Sequence, residues 1–282
     1  DTQRTVAGMS LQAPPRGGSC PQHDNHDFAY DTSTQEVWEI PTVFHVHHSG
    51  NAGRIPRKCI DSAVRETNAH LKAAKANIVI TLANVSYSDD KDWHEDKWSN
   101  GQGKPYRQNS DKSKLNVYVN KATCNGERTP GALGYVGNGK DIAWQTSKKE
   151  LGIVVNYAVL GHHSVQGCSS KKSSFNEGKT FTHELGHWLG LYHTFDGLNC
   201  NGGGDHIADT NQQSSSSKSG SCDARSTCGS PDPIQNYMDY SDDKCLTEFS
   251  PMQVRRMRCV IHSRMQKYVK KSGSVHSHNP HS

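Results

Sequence analysis

The order of apolar and polar residues predicts strands and helices along the first half of the chain. Residues 37–48 alternate between apolar and polar side chains, which is typical of a half-buried strand. A helix that opens on a proline is expected over about 56–76, because apolar residues recur there on one stripe. The β-branched segment 78–85 predicts a second strand, and the short apolar runs 115–119 and 151–155 predict two more.

The second half of the chain has two helical patterns separated by a polar stretch. One helix is expected over 175–190, and an amphipathic helix is expected over 251–270. Five apolar residues of the latter are predicted to face inward: Val254, Met257, Val260, Ile261 and Met265. The segments 88–113 and 199–233 are polar and contain glycine, so we expect long surface loops there. Strands and a helix therefore come first and an irregular part closed by a helix comes last, which indicates an α+β fold.

Polar segments without periodicity flank this core. Residues 1–36 carry paired prolines and paired glycines, and they are interpreted as a leader or the remnant of a pro-segment. Residues 272–282 are polar and histidine-bearing and are expected to be a disordered tail. The remaining segment, 37–271, is long enough to bury a substantial core.

Composition and charge narrow the class of protein. Nine cysteines in 282 residues favour disulfides and therefore a location outside the cytosol. The net charge of +4 comes from scattered lysines and arginines, so no nucleic-acid partner is expected. No apolar run approaches the ~20 residues that cross a bilayer. We therefore expect a secreted monomer without a membrane span. The N-glycosylation sequon Asn84-Val85-Ser86 lies in a predicted strand, which argues against its occupancy.

Residues 183–193 read HELGHWLGLYH and carry candidate metal ligands. His183 and His187 are four apart, so they lie on one face of a helix. Gly190 permits a positive φ that ends the helix, and the chain can then return His193 as a third ligand. Three imidazoles leave one position open for water, which is typical of a catalytic zinc site, and Glu184 is the candidate general base. The alternative, solvated or core histidines, requires five fixed positions to coincide by chance.

Two downstream residues are candidates to complete this site. Met238 lies in the sequence NYMDY, and a tight turn there would place an apolar, adaptable side chain beneath the imidazoles. The alternative is an ordinary core methionine. Tyr240 is a candidate to donate a hydrogen bond to the developing oxyanion. The alternative is a buried tyrosine whose hydroxyl is bonded elsewhere.

These motifs resemble those of the metzincin metallopeptidases, and the pappalysin family in particular, including its secreted bacterial and fungal members. The similarity rests on HELGHWLGLYHTF at 183–195, NGGGD at 201–205 and NYMDYSDDKC at 236–245. It covers about residues 176–252.

The resemblance implies a two-lobed, metzincin-like zincin fold. The N-terminal lobe, about 37–190, would contain a twisted mixed sheet, a backing helix and the active-site helix. The C-terminal lobe, about 191–271, would be irregular, stapled by disulfides and closed by a helix. The implied activity is hydrolysis of protein or peptide substrates by a secreted zinc endopeptidase, with metal-activated water. Two alternatives stay open: a non-catalytic adhesion or toxin-like binding protein on this scaffold, and a structural zinc with Cys20 as fourth ligand.

The cysteines carry two further expectations. For the four cysteines of the C-terminal lobe, spacing alone allows three connectivities. The resemblance implies one of them: Cys200–Cys228 and Cys222–Cys245. Cys20, in the leader, is a candidate latency thiol for the open zinc position. The alternative is a disulfide from Cys20 to Cys59 or to another cysteine.

Acidic residues of the C-terminal lobe suggest a cation and a specificity. Asp205, Asp209 and Thr210 lie in a glycine-rich loop whose oxygens suit calcium, and the resemblance implies a structural calcium ion there. The alternative is a solvated acidic loop. The resemblance also places Asp243 at the pocket for the residue after the cut bond, which implies a preference for lysine or arginine. The alternative for Asp243 is a surface aspartate near Lys244.

Overall fold

A computed structural model describes residues 36–97, 111–123, 132–136, 152–169, 173–217 and 221–272. The predicted leader up to residue 35, with Cys20, and the predicted tail beyond residue 272 lie outside the described residues. The division into lobes at residue 190 stays a prediction.

The core of the molecule is a mixed β-sheet. Its strands are β1 (Val37–His48), β2 (Ile78–Asp89), β3 (Leu115–Asn120), β4 (Gly134–Val136), β5 (Ile153–Asn156) and β6 (Lys270–Ser272). Their order is β2-β1-β3-β5-β4, and β6 pairs with the start of β1. Strands β1, β2, β3 and β5 run parallel, whereas β4 and β6 are antiparallel to their partners. The sequence predicted β1 with the observed bounds, and it missed β4 and β6.

Helices pack against this sheet. The helices are α1 (Arg57–Ala73), α2 (Lys91–His94), α3 (Lys179–Trp188) and α4 (Pro251–Val260). The rings of Phe44 on β1 and Phe181 on α3 meet edge to face at 5.4 Å, which joins α3 to the sheet. A smaller cluster with Tyr118 and Tyr135 lies apart from this main core. The mixed sheet with packed helices confirms the α+β class. None of the described helices combines the length and apolar character that spanning a bilayer requires.

Helices α3 and α4 differ from their predicted bounds. Helix α3 begins at Lys179 because Gly178, at φ 77°, has a left-handed conformation that an α-helix cannot contain. Gly190 has φ 90° just beyond its end, as the sequence predicts. Helix α4 ends at Val260, and the chain continues as a π-helical turn and a 3-10 turn before β6. All five predicted inward-facing residues are buried. Their stripe therefore marks the buried face correctly, although the helix type changes along it.

Disulfides hold the irregular segments. The structure contains Cys200–Cys228 and Cys222–Cys245, the two pairs that the resemblance implies. A third, Cys59–Cys168, ties α1 to the loop before α3. The alternative of a Cys20–Cys59 disulfide is therefore wrong. Cys259 is also disulfide-bonded.

Candidate metal centre

Three histidines bring their Nε2 atoms to one point. His187 Nε2 lies 3.0 Å from His183 Nε2 and 3.0 Å from His193 Nε2, and the third separation is 3.2 Å. Tetrahedral zinc with bonds of about 2.0–2.1 Å requires nitrogen separations of about 3.3 Å. The three imidazoles therefore fit zinc with very little rearrangement. Among the residues that the structure describes, they form the one group of three or more histidine, cysteine or acidic side chains with this convergence.

Backbone carbonyls fix the rings of the two helical histidines. His183 Nδ1 donates to the carbonyl oxygen of Tyr237 at 2.6 Å, and His187 Nδ1 donates to that of Leu191 at 2.8 Å. A carbonyl oxygen can only accept, so each Nδ1 carries the proton and each Nε2 keeps its lone pair. Burial also lowers the pKa of His183 to about 4, which keeps this imidazole neutral and competent as a ligand near neutral pH.

Glu184 lies beside the triad and packs against an edge strand. Its side chain is buried, at 5% exposure. A Cβ atom placed on Gly134 of β4 would lie 2.7 Å from Glu184 Oε1 and 2.8 Å from Glu184 Cγ. The missing side chain of Gly134 therefore makes room for the carboxylate. The sequence analysis missed this residue, although a glycine within a strand is a known signal of close approach.

Met238 forms the floor beneath α3. It is fully buried, and a Cβ atom on Gly186 would lie 2.5 Å from its Sδ. Hydrogen bonds from Asn236 and Gln253 hold the turn that contains Met238. Asn236 Oδ1 accepts from the Met238 amide, and the Asn236 and Gln253 side-chain amides bond each other reciprocally at 2.8 and 3.0 Å. Gln253 belongs to α4, so the C-terminal helix positions the turn.

Asp239 ties the same turn to the irregular loop. Its carboxylate accepts hydrogen bonds from Gln213 Nε2 and from both the amide and the hydroxyl of Ser217. The sequence analysis missed Asn236, Gln253 and Asp239, because their partners lie far away along the chain.

Tyr240 stands at the rim of the triad. Its ring centroid lies 4.7 Å from that of His193 and 5.7 Å from that of His183. The residue is 42% exposed, so the alternative of a buried tyrosine is wrong. The phenol therefore lies next to the imidazoles of the triad and is exposed at the surface.

The candidate calcium residues are bonded within the protein. Asp205 is buried, and its carboxylate accepts from Thr210 Oγ1 and from the Ile207 amide. Burial raises its pKa to about 7. The Asp209 carboxylate accepts instead from Ser250 Oγ and the Met252 amide at the start of α4. Asp205, Asp209 and Thr210 thus lie near each other, and the Asp209 carboxylate is hydrogen-bonded to the start of α4.

Asp243 is buried and faces the start of α3. Its Oδ2 accepts from the amides of Glu177 at 2.8 Å and Lys179 at 3.4 Å. The Lys179 amine bonds the Asp243 carbonyl and the Glu177 carboxylate. Burial raises the pKa of Asp243 to about 6. The alternative of a surface aspartate is wrong for this residue, and the acid within 3.9 Å of the Lys244 amine is Asp242.

Comparison with known proteins identifies the family. The sequence model of the Peptidase_M43 family, described as pregnancy-associated plasma protein-A, matches residues 108–262, more than half of the chain. The chain belongs to the pappalysin family. This pappalysin is accordingly a zinc metalloendopeptidase, as the resemblance implied, and the adhesion alternative is not supported.

Similar proteins agree with this assignment. An extracellular metalloprotease of Arthroderma gypseum is 35% identical over 78% of this chain and 71% of its own length. One of Neurospora crassa is 35% identical over 80% of this chain and 75% of its own length. Mature mirolysin of Tannerella forsythia, in complex with a cleaved peptide, matches the fold with a TM-score of 0.62 at 24% identity, covering 82% and 97% of the two chains. A promirolysin variant matches with a TM-score of 0.61 at 25% identity, covering 82% and 83%.

Proposed function

We propose that this pappalysin is a secreted endopeptidase in which His183, His187 and His193 hold the zinc and Glu184 is the general base. The convergence of three Nε2 atoms, with the tautomers of His183 and His187 fixed by backbone carbonyls, is the observation that carries this proposal. Secretion is supported by the disulfides and by the extracellular relatives. A monomer remains the expected state.

The proposed chemistry assigns one role to each neighbouring residue. Zinc, when bound, lowers the pKa of a coordinated water and polarises the scissile carbonyl. Glu184 takes the proton of the attacking water and delivers it to the leaving nitrogen. The Tyr240 hydroxyl donates a hydrogen bond to the carbonyl oxygen as negative charge develops there. Met238 supports the ligand rings from below.

A matched pair of variants tests the role of Glu184. Glu184→Gln keeps the size of the side chain and removes its basicity, so we expect normal zinc content and a loss of about 10²–10⁴ in the cleavage of a quenched fluorescent peptide. Glu39→Gln, on β1 and away from the triad, is the control and should cleave normally. Full activity of zinc-loaded Glu184→Gln would show that another group moves the proton.

We further propose a preference for lysine or arginine after the cut bond. The support is the charge near the start of α3, where the three acids Glu177, Asp242 and Asp243 lie near two cations, Lys179 and Lys244. The Asp243 carboxylate already accepts hydrogen bonds from two amides. It would therefore attract a basic substrate side chain through its electric field and as part of the pocket wall. A cleavage profile on a peptide library measures this preference. Equal cleavage before leucine and arginine would exclude it.

Calcium at Asp205, Asp209 and Thr210 is also a proposal. Its support is the buried Asp205 carboxylate, whose pKa is raised by burial more than it is lowered by the bonds from Thr210 and Ile207 and by the charge of Arg256. A bound cation would offset that effect of burial. We expect calcium, and magnesium much less, to raise the melting temperature, and Asp205→Asn to abolish the shift. A melting temperature indifferent to calcium would count against the site.

A further inference from the structure

The outer edge of strand β2 is exposed and carries few charges. Among the described residues β2 is an outermost strand, paired with β1 along one side only. No residue of β2 before Asp89 carries a charge, and the ring of Tyr87 is 41% exposed. Natural proteins protect such edges with charges, bulges or covering groups, because a free, uncharged strand can pair with another chain.

Within the part of the chain that the structure describes, a hydrogen-bonding group closes the first part of this edge only. Asn68 of α1 presents its side-chain amide to Ile80 as a neighbouring strand would. Asn68 Nδ2 donates to the Ile80 carbonyl at 2.9 Å, and the Ile80 amide donates to Asn68 Oδ1 at 2.8 Å. The open part of the edge therefore begins after Ile80.

The sequon lies in the middle of this open part. The register between β1 and β2 shifts between Thr42 and Val43, and Asn84 is the residue opposite Val43 just after the shift. Asn84 and its neighbour Ala83 are exposed, whereas Ser86 is partly buried and shares a hydrogen bond with His45 Nδ1. A strand position argues against a glycan only where the side chain is buried or the edge is paired. Here the asparagine side chain is accessible.

We propose that Asn84 carries an N-linked oligosaccharide that covers the open part of the β2 edge. This inference rests on the export proposed above, since the secretory pathway supplies the donor, a lipid-diphosphate-linked oligosaccharide. Asn84 Nδ2 forms a bond to C1 of the first sugar. The bond between C1 and the diphosphate oxygen breaks, the lipid diphosphate leaves, and the amide loses one proton. The bulky, hydrated product keeps a second strand from approaching.

The modification is tested by secreting the full chain from a yeast host. The host must glycosylate a co-secreted reporter, and intact masses are measured before and after treatment with peptide N-glycosidase. We expect the wild type, Ser86→Thr and the control Ser88→Ala to lose one glycan mass on treatment. Asn84→Gln and Ser86→Ala should show the bare polypeptide mass from the start. A wild-type chain of bare polypeptide mass beside a glycosylated reporter would overturn the proposal.

The protective role is tested on the same samples by light scattering over time. Loss of the glycan in Asn84→Gln is expected to raise aggregation several-fold, and Asn84→Lys should restore solubility by placing a charge on the edge. Equal aggregation of all variants would refute the covering role. Zinc content and peptide cleavage, measured in parallel, separate this inference from the proposed function, since an unglycosylated chain that cleaves peptides refutes only the former.

Discussion

Replacing Gly134 by alanine is expected to slow peptide cleavage on the order of 100-fold while zinc stays bound. The new Cβ would lie 2.7 Å from Glu184 Oε1, and ordinary contacts begin at 3.4 Å, so the carboxylate is short of space by 3.4 − 2.7 = 0.7 Å. The Val154 carbonyl, 2.8 Å from the same Cβ, belongs to the backbone of β5 and cannot yield easily. The flexible Glu184 side chain therefore moves.

The size of the effect follows from how catalysis depends on geometry. A displacement of about 1 Å at a reacting group can cost about 100-fold in rate, which corresponds to about 2.7 kcal/mol of barrier. The same crowding is expected to lower the free energy of unfolding by about 1–3 kcal/mol. The activity must therefore be expressed per folded, zinc-loaded molecule, from a fluorogenic peptide assay and a metal analysis on the same sample.

Gly152→Ala is the matched control. Its Cβ would meet the Tyr118 ring at 2.9 Å and the Asn116 carbonyl at 3.1 Å, which is similar crowding in the same sheet away from Glu184. We expect a comparable loss of stability with normal cleavage. If Gly134→Ala cleaves as fast as Gly152→Ala, the position of the Glu184 carboxylate does not limit the reaction, and the assignment of a general base loses its geometric basis.

Three further changes have defined outcomes. Tyr240→Phe should lower kcat by about 10²-fold with little change in KM or zinc content, as steady-state kinetics would show; an unchanged kcat would remove the phenol from the reaction. The pKa of Asp243 is raised from 3.8 to about 6, so its contribution to stability is fully present below pH 3.8 and is lost as pH rises through about 6. Asp243→Asn should flatten that part of the stability curve, by about 3 kcal/mol in the free energy of unfolding measured by chemical denaturation, and an unaltered curve would contradict the shift. The double change Cys59→Ser, Cys168→Ser removes a disulfide that links residues 109 positions apart, and it should lower the free energy of unfolding by up to about 5 kcal/mol. Removal of Cys222–Cys245, which spans 23 positions, should lower it by about 3.5 kcal/mol. Equal losses in denaturation experiments would argue against the chain-entropy account.

Local patterns predicted the elements that local forces determine. The four-residue spacing of His183 and His187 and the glycine after the helix were sufficient to predict the ligand set that the structure brings together. The alternation of residues 37–48 predicted β1 with its observed bounds. In each case the information lies within one element, as the periodicity of side chains or as the conformational freedom of a glycine.

Contacts between distant segments could not be predicted in this way. Strand β4 has three residues, too few for a periodic signal, and its role depends on Glu184, fifty positions later. The amide of Asn236 is held by Gln253, and neither residue is unusual for its own segment. Helix α4 loses its α-helical form after Val260, although the apolar stripe continues, and β6 then pairs with β1, a partner more than 220 positions earlier in the chain. Tertiary contacts decide each of these features.

The link between the Met238 turn and α4 affects when the enzyme can become active. Gln253, which holds Asn236, lies sixty residues after His193, the last of the three histidines along the chain. A chain still attached to the ribosome with α4 unmade lacks the amide that fixes the floor below the imidazoles. The site is therefore expected to reach its final geometry only after α4 has been synthesised and folded.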